Sequence, residues 1–253
     1  MGNKVLIIVS GSFPYGTPRA LRMRAFADLF KAIGWNVVVL SDHFAGEHSG
    51  ELFFEYENME LYSLGKELSG KNKLLIPLLF KKKFRDIIEK ERPDLIYSYS
   101  LYDRFPFILW KTKKNGIPLV LDSNEWYHPS TFKFGRFSWH YILHSICWKW
   151  FYPKVDGIVA ISRLIEKHYS KYTDHVIRVP TIVDNMNGWE KKNAFNDGKI
   201  HLLFAGSLAK TKDSIKEYYE ALDYLGNDND KIYFEICGVD KQELIEHLGE
   251  KLY

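Results

Sequence analysis

Short apolar runs alternate with longer amphipathic stretches along most of this chain, and that alternation limits its fold more than any other feature. Lys4 to Ser10 (KVLIIVS) reads as a buried strand. A helix is predicted over Arg19 to Ile33, with Leu21, Ala25, Leu29 and Ile33 at i+4 spacing as its apolar face and Gly34 closing it. Strands follow at Trp35 to Ser41 and Met59 to Leu64, then a helix over Leu74 to Glu91 that Arg92-Pro93 stops. The units continue with strand Asp94 to Ser100, helix Phe105 to Asn115, strand Pro118 to Ser123 and an aromatic helix from Phe134 to Tyr152. Strand Gly157 to Ser162, helix Arg163 to Ser170 and strand Val176 to Pro180 complete the series. Strands separated by helices imply an α/β fold, a doubly wound, Rossmann-like parallel sheet covered on both faces.

The pattern then breaks and restarts. Asp184 to Lys199 is polar and rich in Asn and Gly, so a linker is placed at 186–199. Beyond it come strand Ile200 to Ala205, helix Asp213 to Leu225, strand Lys231 to Cys237 and helix Asp240 to Lys251. Residues 1–185 supply six or seven strands, enough for a complete domain. Residues 200–253 supply two, against about five or six in an average sheet, so a second Rossmann-like domain reads as incomplete. A length of 253 residues allows this arrangement. Charge divides near the same place. The net charge is +3, but from Asp213 onward 11 acidic and 4 basic side chains give −7, leaving +10 on the preceding part.

Several function classes drop out. No apolar run approaches the roughly 18–20 residues of a membrane span, and the N-terminus enters a strand with no signal-peptide layout. Two cysteines, Cys147 and Cys237, make no disulfide framework, which points to a reducing, cytoplasmic compartment. A pI near 8.6 without a recognition module argues against nucleic acid as a partner. His140 and His144 lack the glutamate of a zinc-protease helix and read as helix-surface residues; no G-x-S-x-G elbow is present. No metal site is expected. Phe132 to Tyr152 and Leu74 to Arg85 mix aromatic or aliphatic residues with cations, a composition that suits either a peripheral membrane contact or a core helix with a basic rim.

Ligands of doubly wound sheets bind at the carboxyl ends of strands. There the first strand runs into Ser10-Gly11-Ser12-Phe13-Pro14-Tyr15-Gly16-Thr17-Pro18-Arg19. Gly11 and Gly16 would let a ligand approach the backbone, or would shape a Pro/Gly turn feeding a helix. Neither the dinucleotide fingerprint nor the P-loop is present. Arg19, Arg22 and Arg24 oppose the dipole at a helix start, which suggests a ligand contact for one of them, with Arg19 and Arg24 solvated. Asp122-Ser123-Asn124-Glu125-Trp126 places carboxylates and an amide at another strand end, where Glu125 would orient a hydroxyl or act as a base, unless the Asp or Asn caps a helix. Phe204-Ala205-Gly206-Ser207-Leu208-Ala209-Lys210-Thr211-Lys212-Asp213 leads from a strand to a helix N-terminus and suits a diphosphate; with the first loop it implies a cleft between two domains.

Taken in order, these segments resemble the family 4-type, group 1 glycosyltransferases of GT-B fold. Phe13-Pro14-Tyr15-Gly16 with Arg22 and Gly34-Trp35-Asn36-Val37 is similar to the family's opening, and Asp122 to Trp126 to its D-x-H-E segment. Val155-Asp156-Gly157-Ile158-Val159-Ala160-Ile161-Ser162, Val179 to Asp184, and Phe204 to Leu208 with Lys212-Asp213 continue the resemblance. It implies transfer of a sugar from a UDP- or GDP-sugar to a glycan or lipid-linked acceptor, with retention and no bound cofactor, in surface polysaccharide synthesis at the inner face of the cytoplasmic membrane. The first domain would bind the acceptor and the second the donor. Asn124 and Glu125 would be catalytic; Gly11, Gly16, Gly206 and Lys212 would line the donor diphosphate; Tyr15, Arg22 and Trp126 would meet the acceptor. Ser207 stands where many relatives carry Arg, and the family's paired glutamates would lie beyond Tyr253, so the chain alone is expected to have little activity. Two alternatives are a non-catalytic binding module of the same fold and a nucleotide-sugar epimerase.

Overall fold

The computed structural model describes residues 2–182, 195, 197–206, 215–225 and 231–248. The chain divides into two compact units, Met1–Asn185 and Met186–Tyr253.

The first unit is built on β1 (Lys4–Ile8), α1 (Pro18–Ala32), β3 (Asn36–Ser41), β5 (Phe53–Tyr56), β6 (Met59–Ser63), α2 (Ile76–Glu91), β7 (Leu95–Tyr99), α3 (Phe105–Asn115), β8 (Leu119–Ser123), α4 (Trp139–Ile146), β9 (Gly157–Ala160), α5 (Arg163–Tyr169) and β10 (Val176–Arg178). Two-residue strands β2 (Ser12–Phe13) and β4 (His43–Phe44) pair in parallel beyond the ends of β1 and β3. The main sheet has eight strands in the order β10-β9-β8-β7-β1-β3-β6-β5. All pairs are parallel except β5 with β6. At its centre Val5 lies between Val37 and Leu95, and Ile7 between Val39 and Tyr97. Val5, Leu6, Ile7 and Ile8 are all fully buried, because helices cover both faces. Each such side chain contributes about 1.5–3 kcal/mol relative to exposure. The chain builds outward through β3 and β6 on one side of β1, then returns to β7 and builds β8 to β10 on the other. That reversal opens a crevice at the carboxyl ends of β1 and β7.

Three local readings change. Helix α1 starts as its sequence dictates, with Pro18 in its first turn and the Thr17 hydroxyl accepting the Ala20 N–H. Its core face, however, is Ala20, Met23, Phe26 and Ala27, while Leu21, Leu29 and Ile33 face outward, each more than half exposed. Alanines bring the helix close to the sheet and the larger side chains fill the remaining gap, so size complementarity overrides the aliphatic stripe. The edge strand β5 is an unpredicted element. It joins β6 through Glu57 and Asn58, both left-handed (φ 47° and 61°), in a two-residue hairpin turn. The aromatic helix is not continuous either: α4 gives way to a π-helical turn at Cys147–Phe151, where Cys147 donates to the Tyr102 carbonyl and Trp148 is buried.

At the end of α2, Glu91 accepts from Lys4 Nζ at 2.7 Å and from the Tyr62 hydroxyl at 2.6 Å, with Lys90 Nζ at 3.1 Å. Burial alone would raise its pKa; the hydrogen bonds from Lys4, Tyr62 and Lys90 outweigh burial and hold it at about 2. A depressed carboxylate stabilises the fold above its ordinary pKa, and the contribution is lost as pH falls from 4.5 to about 2. Glu91→Gln is therefore expected to cost on the order of 2–3 kcal/mol at neutral pH in urea unfolding, with the gap to wild type closing through that acid window. A gap independent of pH would contradict this origin.

The second unit contains β11 (Ile200–Ala205), α6 (Ile215–Tyr224), β12 (Ile232–Cys237) and α7 (Lys241–Leu248). The two strands pair in parallel and Ile215 and Leu244 are its buried apolar residues. Gly238 (φ 92°) lies so close to Gly206 that an added Cβ would fall 2.8 Å from the Gly206 carbonyl oxygen. Most of the linker expected at 186–199 lies outside the described residues. Among the described residues no helix is long and apolar enough to cross a membrane.

Candidate active site

The carboxyl ends of β1, β7 and β8 carry a cluster of polar side chains. Gly11 leaves β1 in a left-handed conformation (φ 79°), and its N–H donates to Asp42 Oδ2 at 2.8 Å. Its carbonyl accepts from Asp42 N at 3.2 Å and His43 N at 3.4 Å. Asp42 is itself clamped by Arg104, just ahead of α3, with Nη2 3.2 Å from Oδ2 and Nη1 on Oδ1. Burial would lower the Arg104 pKa, but the Asp42 charge raises it and the guanidinium stays protonated. The Gly11 N–H is thus spent on Asp42, so Gly11 offers no free amide to a diphosphate. Gly16 (φ 94°) is exposed and shaped by its own turn, in which Ser12 Oγ donates to the Tyr15 carbonyl at 2.9 Å.

Arg22, expected to meet the acceptor, has its Nε, Nη1 and Nη2 engaged inside the protein. It is buried and forks onto Asp122 at the end of β8, Nε to Oδ2 at 2.9 Å and Nη2 to Oδ1 at 3.0 Å. Its remaining contacts are to the carbonyls of Pro180 (2.7 Å) and Val179 (2.9 Å). The dipole penalty at the helix start is offset inside the protein, not by an acceptor, and Arg22 is a positioning residue that ties α1 to β8 and to the segment after β10. Arg24 pairs with Glu57 at 2.7 Å. Arg19 is not solvated as expected: it donates to the Ser10 carbonyl (3.2 Å) and to the Ser10 hydroxyl, and its guanidinium lies 4.7 Å from the Tyr99 ring centroid.

Asn124 follows Asp122 and donates to its carbonyl at 3.1 Å, but its Oδ1 is buried with no hydrogen-bond partner. The Nε of Arg19 is in the same condition. They are two of eight buried side-chain polar atoms without a hydrogen-bond partner among the described residues, and these two lie at the carboxyl edge of the sheet. Glu125 is half-buried beside them. The Tyr99 hydroxyl feels both charges: burial raises its pKa, Arg19 opposes and Glu125 adds to the rise. The Tyr102 pKa is also raised, by burial first and then by the Asp103 charge, with smaller effects of Arg19 and Glu125. Behind this segment Trp126, 48% exposed, stacks on buried Trp148 at 4.8 Å. His144 is not on the helix surface: it is buried among Tyr102, Tyr127 and Trp148, and burial lowers its pKa.

A cation, a carboxylate, an amide and two phenols therefore converge where β1, β7 and β8 end. Sequence reasoning found Asn124, Glu125 and Trp126 but missed Arg19, Tyr99 and Tyr102; the only sign of the tyrosines was their place at the end of a predicted strand. In the second unit Gly206 ends β11, its N–H donating to the Cys237 carbonyl at 3.0 Å. Lys212 lies outside the described residues. Among the described residues no group of His, Cys, Asp and Glu is placed to hold a metal ion.

The family model for Glycosyltransferase Family 4 matches residues 21–185, more than half of the chain, from within the first turn of α1 to the end of the first unit. The chain belongs to Glycosyltransferase Family 4. Solved structures agree on the fold. Sucrose-phosphate synthase from Thermosynechococcus elongatus superposes with a TM-score of 0.64 at 11% identity, over 98% of this chain and 69% of that one. WaaG, a glycosyltransferase involved in lipopolysaccharide biosynthesis, gives 0.61 at 15%, over 98% and 67%. An E. coli trehalose-6-phosphate protein bound with UDP-2-fluoro glucose gives 0.61 at 10%, over 99% and 69%. At such identities the likeness concerns the fold, which is GT-B, and this chain spans about two thirds of each of these glycosyltransferase-type molecules. No curated protein sequence matches the chain.

Proposed function

We propose that this glycosyltransferase moves a hexose from a nucleotide-sugar, UDP- or GDP-linked, to a hydroxyl of a glycan or lipid-linked acceptor, with retention, in surface polysaccharide assembly. The observation that carries the reading is the convergence of Arg19, Tyr99, Asn124 and Glu125 at the sheet's carboxyl edge, with the Arg19 guanidinium 4.7 Å from the Tyr99 ring centroid. In the reaction the acceptor oxygen bonds to the anomeric carbon on the same face from which the diphosphate oxygen departs, which retains its configuration, and the electron pair of the broken bond leaves with the diphosphate. Glu125 takes the acceptor proton and Asn124 and Arg19 hold the acceptor's polar groups. Lys212, assigned to the diphosphate by the family resemblance, stabilises the departing group, and charge stabilisation of this kind most lowers such barriers. The family match and the UDP-sugar bound by the E. coli neighbour support this donor class. Incubating the full-length protein with a UDP-sugar and a glycan acceptor tests it. Acceptor-dependent UDP release is expected, whereas a donor epimerised without any acceptor would favour the epimerase alternative and no turnover the binding module.

A lipid-linked acceptor would place the protein at the cytoplasmic membrane face. Phe134, Phe137, Trp139 and Trp150 are 68%, 90%, 67% and 58% exposed, with Lys133, Arg136 and Lys149 between them. Aromatic rings among cations suit the interface of an anionic bilayer. Replacing Phe137 and Trp139 together by Ser is expected to weaken co-sedimentation with anionic vesicles by about tenfold. No sedimentation of the wild type at low salt would sink this placement.

A further inference from the structure

A cavity of about 330 Å³ opens in the first unit on the loop that joins β1 to α1, between Pro14 and Tyr15 on one side and β5 with the preceding loop on the other. We propose that it is a subsite for one neutral pyranose ring of the acceptor, with Tyr15, Phe54 and Tyr56 as its apolar walls and Glu47 as its hydroxyl-binding group. The proposal rests on the transferase reading above and specifies the substrate's chemistry.

Three observations converge. First, the volume lies at the small end of the roughly 300–1,000 Å³ range of ligand sites, which fits a single ring and not a nucleoside diphosphate sugar. Second, the walls are preorganised. Tyr15 and Tyr56 meet edge to face at 5.8 Å with their hydroxyls hydrogen-bonded, and Phe54 stacks flat on His48 at 3.9 Å. Phe44 meets Phe54 edge to face at 4.6 Å, and the Arg24 guanidinium lies 5.4 Å from the Tyr56 centroid and 5.8 Å from that of Tyr15. Rings already fixed lose little entropy when the C–H face of a sugar packs against them. Third, the charge is wrong for an anion. No Lys or Arg lines the cavity, and nearby Arg24 is neutralised by both carboxylate oxygens of Glu57 at 2.7 and 3.0 Å. Glu47, whose side chain is 90% exposed and lies 3.7 Å from Nε2 of the lining His48, is the lining carboxylate and keeps an oxygen to accept hydroxyl hydrogens. A phosphate-bearing ring would be repelled, whereas a neutral polyol would not.

Saturation-transfer NMR on the full-length protein with methyl α-glucoside, methyl α-galactoside and methyl α-mannoside tests the subsite. At least one glycoside is expected to bind in the millimolar range, and Tyr15→Ala and Glu47→Gln are each expected to weaken it about tenfold with unchanged thermal melting. Absence of binding by all three glycosides, or equal binding by wild type and both variants, would overturn the proposal. So would binding of tetramethylammonium in place of the glycosides, which would make the aromatic walls a cation site. The two readings fail separately. Glycoside binding lost in these variants, with no turnover of any nucleotide-sugar, would overturn the transferase and retain the subsite. Turnover with the acceptor KM unchanged in both variants would overturn the subsite and retain the transferase.

Discussion

Arg22→Ala is expected to destabilise the first unit by about 3–5 kcal/mol, a drop in melting temperature on the order of 10 °C. The pair it breaks is buried at both ends, with Arg22 7% and Asp122 0% exposed. Removing the guanidinium strands a carboxylate where no water can reach it. Burial already pushes the Asp122 pKa upward and Arg22 is the main opposing group, so in the variant the rise is opposed only by Asn124 and Tyr97. The Val179 and Pro180 carbonyls lose their donors in the same step. Replacing both partners by apolar residues of similar volume, Arg22→Met with Asp122→Leu, is expected to recover most of the loss, because neither charge is then stranded. Urea unfolding followed by circular dichroism reads all three proteins. A single-variant cost under about 1 kcal/mol would show that the pair does not hold α1 to the sheet.

Glu125→Gln is expected to lower kcat by about 10²–10⁴, the range for removing a positioned acid–base group, with acceptor KM changed only a few-fold. Glutamine keeps the shape and the hydrogen-bonding oxygen but cannot take a proton. The segment is held by its neighbours. Asn124 is anchored to the Asp122 carbonyl, Trp126 rests on Trp148, and Asp122 is held by Arg22, so melting should stay at the wild-type temperature. A fall in kcat with the melting temperature preserved separates a chemical role from a structural one.

Topology was the most legible part of this molecule. Parallel strands buried on both faces leave uninterrupted apolar runs, and Lys4–Ile8 and Asn36–Ser41 announce themselves for that reason. Features set by distant partners were not legible. The Glu57–Asn58 turn that creates β5 is held by Arg24 and by Lys31, 26 or more residues away. Arg22 drew attention as a cation at a helix start, but its partner lies 100 residues along the chain. The Asp42–Arg104 clamp spans 62 residues and carries no local pattern. The outward stripe of α1 misled because aliphatic size was read as burial, when alanines make the closest packing. At the candidate site, Asn124 and Glu125 were visible because carboxylates and amides are rare directly after an apolar strand. Arg19, Tyr99 and Tyr102 join them only through the parallel pairing of β1 with β7 and of β7 with β8, which no single segment records.

The reaction at the carboxyl edge is tested most directly by UDP release from a UDP-sugar, measured with and without acceptor in the full-length wild type and in Glu125→Gln. The account predicts release that rises with acceptor concentration in the wild type and falls at least about a hundredfold in the variant. Equal release by the two proteins, or release indifferent to acceptor, would contradict it.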